Sequence, residues 1–332
     1  MLGKQNSVTL RDKFSYSLGM ERFKNILLVL NPESEELVTL ARAVTLARQN
    51  QASLHVVVIL EHLPLEDLPL GTRTLMGILD RDGLREMIVQ RQRRLLRTGL
   101  STEGIDLSTS VEWSHTPFLT IIQRVLRQGH DLLIKTAEHV TGPKAVLFHP
   151  TDRNLMRQCP CPVWMIRPEQ HHTYQRILAA VDSFPDEEIN ADLNRHILDL
   201  ASSQAVRDDA ELHVAHAYHV PSTLLLSTDV DIDEYRNAIV ALHRERLEAL
   251  LEAYPVPSQR VHMEEGLPGE IIPAVARRER IDLIVMGTLA RVGIPGLLIG
   301  NTAERTLDHV DCDILAVKPK GFVTPVRLPD QD

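Results

Sequence analysis

Aromatic side chains are scarce in this chain: Phe, Trp and Tyr together make up 4% of its 332 residues. That scarcity argues against a base-stacking nucleic-acid platform and leaves Leu, Ile, Val and Ala to fill the core. Positive charge is also in short supply, with 36 Lys and Arg against 45 Asp and Glu and a formal charge of −9. Such a field repels a phosphate backbone, so nucleic acid is not expected as a partner. Cysteine is confined to Cys159, Cys161 and Cys312, which cannot all pair. A disulfide scaffold is excluded, and reduced thiols fit a cytoplasmic location. No stretch approaches the roughly 18 apolar residues of a membrane span, and the first twenty residues lack the apolar run of a secretory signal. The scattered histidines, the pair His171–His172 included, show no closed zinc-ligand spacing, so no metal site is expected.

What is present is an ordinary globular composition, 43% apolar and 24% charged, in a chain long enough for about two domains. Those domains are copies of each other. Residues 131–168 and 282–319 align without gaps at an offset of 151, and seven of their 38 positions are identical. These are Asp131/Asp282, Leu132/Leu283, Gly142/Gly293, Leu147/Leu298, Thr151/Thr302, Cys161/Cys312 and Pro168/Pro319. The same offset superposes Ile26–Asn31 on Ile177–Asp182, and Pro117 on Pro268. We therefore expect an N-terminal extension over 1–20, one domain over 21–168, a second over 174–320 and a tail over 321–332. A polar linker near Pro168 joins the two domains.

Within each copy, short apolar runs alternate with helically spaced ones. In the second copy, strands are expected at 176–181, 212–218, 261–264, 282–286 and 314–318, with helices at 192–204, 235–252, 269–278 and 302–309. The first copy follows the same order, with strands at 25–30, 53–60, 107–112, 132–134 and 163–166. The alternation implies an α/β fold of two tandem, doubly wound, five-stranded parallel-sheet domains of Rossmann-like type. Ligands of such sheets bind at the carboxyl ends of the strands.

Two features sit at those ends in the second copy. One is the loop after its fourth strand, in which Gly287, Gly293, Gly296 and Gly300 allow close backbone approach to a ligand. Gly300, Asn301 and Thr302 open the next helix, whose free N–H groups suit a phosphate. Asn301 also reads as a plain N-cap paired with Glu304. No lysine follows as in a Walker A loop, so binding is offered without obvious hydrolysis. The other feature is Asp182, which ends the first strand. It suits either hydrogen bonding to a base or ribose, or capping of the turn at Ser183–Pro185.

The stretch 285–319, with Asp182 upstream, resembles the universal stress protein family in its tandem two-domain type. The likeness rests on Gly287, Gly300, Ala303-Glu304-Arg305, His309, Cys312 and Leu315–Lys318, and it spans about residues 22–320 in two copies. It implies a cytoplasmic bacterial stress-response protein, not an enzyme, active in survival of starvation, oxidants or DNA damage. It also implies an ATP site in the second copy formed by Asp182, Ala217, Gly287, Thr288, Ala290, Gly293, Gly300, Asn301 and Thr302. Two positions depart from the family pattern: Ala290 stands where the middle glycine belongs and Asn301 replaces a hydroxyl residue. The first copy departs further. Asn31 replaces the acid, and Thr136, His139, His149 and Pro150 replace the phosphate motif, so no nucleotide is expected there. The resemblance further implies pairing of the two copies within the chain, and its extension to a homodimer.

Other features fit simpler readings. Cys159-Pro160-Cys161 precedes an apolar strand and reads as small buried residues. The basic run Arg85–Arg97 reads as a solvated helix face. Apolar stretches at 63–79 and 224–232 read as sheet cover. They also admit an alternative function, the binding of an apolar or lipid-like small molecule on the same scaffold with nucleotide binding lost.

Overall fold

In a computed structural model the described residues are 23–31, 36–61, 81–97, 102–141, 146–167, 173–183, 188–220, 232–288 and 309–329. They form two units. The first gathers the described residues of Arg22–His172 together with those of Asp313–Asp332, and the second those of Thr173–Cys312.

The first unit contains β1 (Asn25–Leu30), α1 (Leu37–Asn50), β2 (Ser53–Glu61), α2 (Arg81–Arg97), β3 (Leu107–Ser114), α3 (Pro117–Gln128) and β4 (Leu132–Thr136). A short hairpin of β5 (His139–Thr141) and β6 (Val146–Phe148) follows, then α4 (Pro150–Gln158) and β7 (Val163–Ile166). Apolar runs such as Ile26–Leu30 and Leu132–Ile134 are buried along their whole length, as strands covered on both faces must be. Strand order is β7-β4-β1-β2-β3, all parallel. The second unit contains β8 (Arg176–Ala180), α5 (Glu188–Asp208), β9 (Glu211–Tyr218), α6 (Ile232–Leu251), β10 (Val261–Glu265), α7 (Pro268–Glu279) and β11 (Leu283–Gly287). Its parallel order, β10-β9-β8-β11, repeats that of the first.

The structure gives reasons for the repeated residues. Asp131 accepts the backbone N–H groups of Lys24 and Asn25 at 2.6 and 3.0 Å, pinning the start of β1. Asp282 does the same for Gln175 and Arg176, at 2.7 and 2.9 Å, before β8. Pro117 and Pro268 each begin a helix, where a missing N–H costs nothing. Cys159, Cys161 and Cys312 are all buried free thiols. Hydrogen bonding from Cys159 and burial push the Cys161 thiol well above its ordinary pKa, which keeps it protonated. In α2, Arg85, Arg91 and Arg94 are exposed while Ile88 and Val89 are buried, which makes the basic run a wetted face.

The last strand, β12 (Asp313–Val317), is grouped with the first unit and lies antiparallel to β7, with Leu315 opposite Trp164. Asp313, fully buried, accepts the N–H of Arg167 at 2.7 Å and fixes that register. Within the first unit five strands are thus parallel and β12 is antiparallel to its neighbour β7. Just past β12, Lys318 is buried, its Nζ donating to the Met156 carbonyl and lying 5.3 Å from the centre of the Phe322 ring.

Candidate functional site

In the second unit the strand order reverses at β8, which lies between β9 and β11, and the carboxyl ends of these strands form the switch-point edge. Ala180 faces Ala215 of β9 and Met286 of β11. Two residues further along each strand, the same register brings Asp182, Ala217 and Thr288 level with one another. Asp182 is exposed, Ala217 half-buried and Thr288 buried. Of the residues expected to form the site, these three and Gly287 are brought to one edge. Ala290, Gly293, Gly300, Asn301 and Thr302 lie outside the described residues.

Gly287 has an identifiable structural reason. A Cβ built there would stand 2.8 Å from Leu193 Cδ2, so any larger residue would push the Leu193 side chain of α5 aside. The position expected in a phosphate motif is thus also a place of close helix-on-sheet contact.

The loop carrying Asp182 is held by side chains the sequence did not single out. The Asn194 amide on α5 accepts the Asp182 N–H at 3.0 Å and donates to the Asp182 carbonyl at 2.5 Å. Buried His216, on β9, lies with Nδ1 at 3.2 Å from the Val181 carbonyl. If Nδ1 carries the proton, Nε2 is left as an acceptor for the Ser183 hydroxyl at 2.9 Å and for His243 Nδ1 at 2.8 Å. Tyr218 packs beside His243, ring centres 5.3 Å apart. The only sequence signal for this network was the pair of histidines three apart in an otherwise apolar strand, His213 and His216. That spacing sends them to opposite faces of the sheet.

Burial lowers the pKa of both rings; the Val181 carbonyl and Asp182 partly offset this for His216, and His216 itself depresses His243 further. The sign follows. The unfolded chain takes up protons at the ordinary histidine value of 6.5, before the folded one does. Native stability is therefore full above about pH 6.5 and falls as pH drops through the lower folded values. We expect urea titrations between pH 8 and 5 to show this loss, and His216→Gln to flatten it. Identical slopes for the two proteins would remove His216 from the account.

At the matching edge of the first unit the chemistry is different. Thr136 is buried, its hydroxyl 2.7 Å from that of Thr39. Lys135 stands where the second copy has Met286, and its Nζ lies 2.9 Å from Asp152 and 2.6 Å from Glu138. Asp152, fully buried, also accepts the Glu138 N–H at 2.7 Å. Burial alone would lower the Lys135 pKa, but the two carboxylates more than offset it and raise it. An ion cluster and the β5–β6 hairpin occupy the stretch that aligns with the Gly-rich loop. A lysine interrupting the apolar run Leu132–Ile134 was the readable signal; its partner, 17 residues further on, was not.

Two parallel sheets with the same strand order, in which β3 and β10 each lead into a helix that begins at a proline, point to one family. The universal stress protein family model matches residues 22–167 and again residues 173–318. The chain belongs to the universal stress protein family. It is 31% identical over 319 residues to universal stress protein E of Escherichia coli K12, covering 94% of this chain and 99% of that one. The universal stress protein E homolog of Haemophilus influenzae is 29% identical, covering 90% and 98%. A solved structure from Pseudomonas aeruginosa PAO1, described as functionally unknown, superposes with a TM-score of 0.69 at 30% identity, covering 90% of this chain and 94% of that chain. A universal stress protein of Archaeoglobus fulgidus shares the fold at 16% identity, with a TM-score of 0.53 over 88% of this chain and 98% of its own. The tandem arrangement thus extends over nearly the whole length of these relatives. Among the described residues no helix is long and apolar enough to cross a membrane. The apolar stretches at 63–79 and 224–231 lie outside the described residues.

Proposed function

We propose that this tandem universal stress protein is a non-enzymatic, cytoplasmic stress-response protein with one adenine-nucleotide site, in the second domain (174–320). The reading rests on the contrast between the two switch-point edges. In the second unit Asp182 projects into solvent from a loop braced by Asn194 and His216, level with Ala217 and Thr288. In the first domain (21–168), the Lys135–Asp152–Glu138 cluster fills the corresponding edge. Asp182 would accept hydrogen bonds from the base or ribose. The loop carrying Ala290, Gly293, Gly300, Asn301 and Thr302 would hold the phosphates on backbone N–H groups. The Ser183 hydroxyl is buried between two imidazoles and serves the loop rather than an incoming substrate, which favours binding over turnover.

Titration of the purified protein with ATP tests this. We expect one equivalent to bind, weakened about tenfold by Asp182→Ala, which removes a charged hydrogen-bond acceptor. Ala290→Gly should tighten binding by letting the backbone approach the phosphates. If ATP does not bind, and Ala290→Gly creates no binding, the nucleotide reading is wrong.

A further inference from the structure

On the opposite face of β9 from His216, the second unit brings together three side chains that are far apart in sequence. His213 of β9 and His262 of β10 are 4% and 9% exposed, and their rings are parallel to within 3°. His213 Nδ1 lies 3.1 Å from His262 Nε2. Glu279, the last residue of α7, completes the group, one donor atom from each residue lying within 4.8 Å of the other two. We propose that His213, His262 and Glu279 form a binding site for a divalent transition-metal ion of zinc-like preference.

Two observations carry this. The first is spacing. Two ligands about 2.0–2.1 Å from a tetrahedral ion stand roughly 3.3 Å apart, close to the separation of the two imidazole nitrogens. The second is protonation. Arg278 places a guanidinium NH2 3.2 Å from His262 Nδ1, which must then accept, so Nε2 of that ring carries the hydrogen and donates to His213 Nδ1. His213 is left with its proton on Nε2, a buried atom that has no hydrogen-bond partner among the described residues. Its nearest carboxylate, Glu211, is 3.8 Å away. A metal ion on Nδ1 would strengthen that polarised N–H and draw it toward Glu211, the histidine–carboxylate relay common around metals.

Arg278 is the group that must yield: the His262 hydrogen moves from Nε2 to Nδ1 as the ion binds, so Nδ1 no longer accepts from its guanidinium. Arg278 donates to Glu279 at 2.9 Å and to Glu264 at 2.7 Å, so it has a second carboxylate to keep when Glu279 turns to the metal. Glu279 is 28% exposed at a helix end and has room for that turn. In the metal-free protein the guanidinium therefore supplies the positive charge that Glu279 faces.

Titration with zinc sulfate against a chromophoric chelator tests the assignment on the full chain. We expect one equivalent to bind, and His213→Ala and His262→Ala each to lose about a hundredfold in affinity or more. Arg278→Gln and Glu279→Gln alter the exposed rim and are expected to leave the fold intact even if the buried histidine variants do not. Glu279→Gln should weaken binding, and Arg278→Gln should tighten it, each by about tenfold. The second effect would not follow from a merely structural histidine pair. Absence of zinc binding, or binding indifferent to these four substitutions, would overturn the proposal.

Discussion

Asp152→Ala is expected to cost the first unit about 3–5 kcal/mol of stability, because it strands a buried ammonium without its counter-charge. The Lys135 side chain is 7% exposed and that of Asp152 not at all. Glu138 remains as a partner, but at 36% side-chain exposure it is too well solvated to replace the buried carboxylate. Replacing both members by apolar residues of similar volume, Lys135→Met with Asp152→Leu, should restore most of the loss. The two tryptophans of the chain, Trp113 and Trp164, both belong to the first unit, so their fluorescence reports its unfolding in urea. A loss below about 1 kcal/mol for Asp152→Ala would mean that the pair is hydrated in solution.

Lys318→Met should act in the opposite direction and raise stability at pH 7. Burial brings the Lys318 pKa down from 10.5 to about 7, with the Cys159 and Cys161 thiols offsetting little of it. The unfolded chain therefore binds the proton more tightly than the native protein throughout that interval. Native stability consequently rises with pH from about 7 to 10.5, and at pH 7 nearly the whole penalty is present. Removing the amine relieves it, less the lost donation to the Met156 carbonyl and the contact with Phe322. A net gain of about 2–4 kcal/mol at pH 7 is expected, vanishing toward pH 10.5. A difference between the two proteins that does not change with pH would show that Lys318 reaches water in the folded state.

Both predictions rest on groups that appear as single ionic residues in apolar segments. A lysine in Leu132–Thr136 or after Asp313–Val317 is visible in the sequence. Which groups surround it is not, since the partners come from elements far along the chain. The same distinction separates the two histidines of β9. Their spacing put them on opposite faces, but only the register of β9 against β10 and the end of α7 set His213 beside His262 and Glu279.

Aliphatic runs too short for anything but buried strands, alternating with helical spacing, were enough for the sequence to determine two copies of a doubly wound parallel sheet. It also placed Asp182 at the carboxyl-end edge of the second sheet. These are local or periodic properties, and each segment carries its own share of them. The tertiary structure alone decided that β12 joins the first unit, that Lys135 and Asp152 occupy one of the two switch-point edges, and that Asn194 and His216 brace the other. Each of these depends on which distant residues meet. The scarcity of aromatics and of positive charge set what the cores could be made of, and long-range pairing set where the few buried charges could be satisfied.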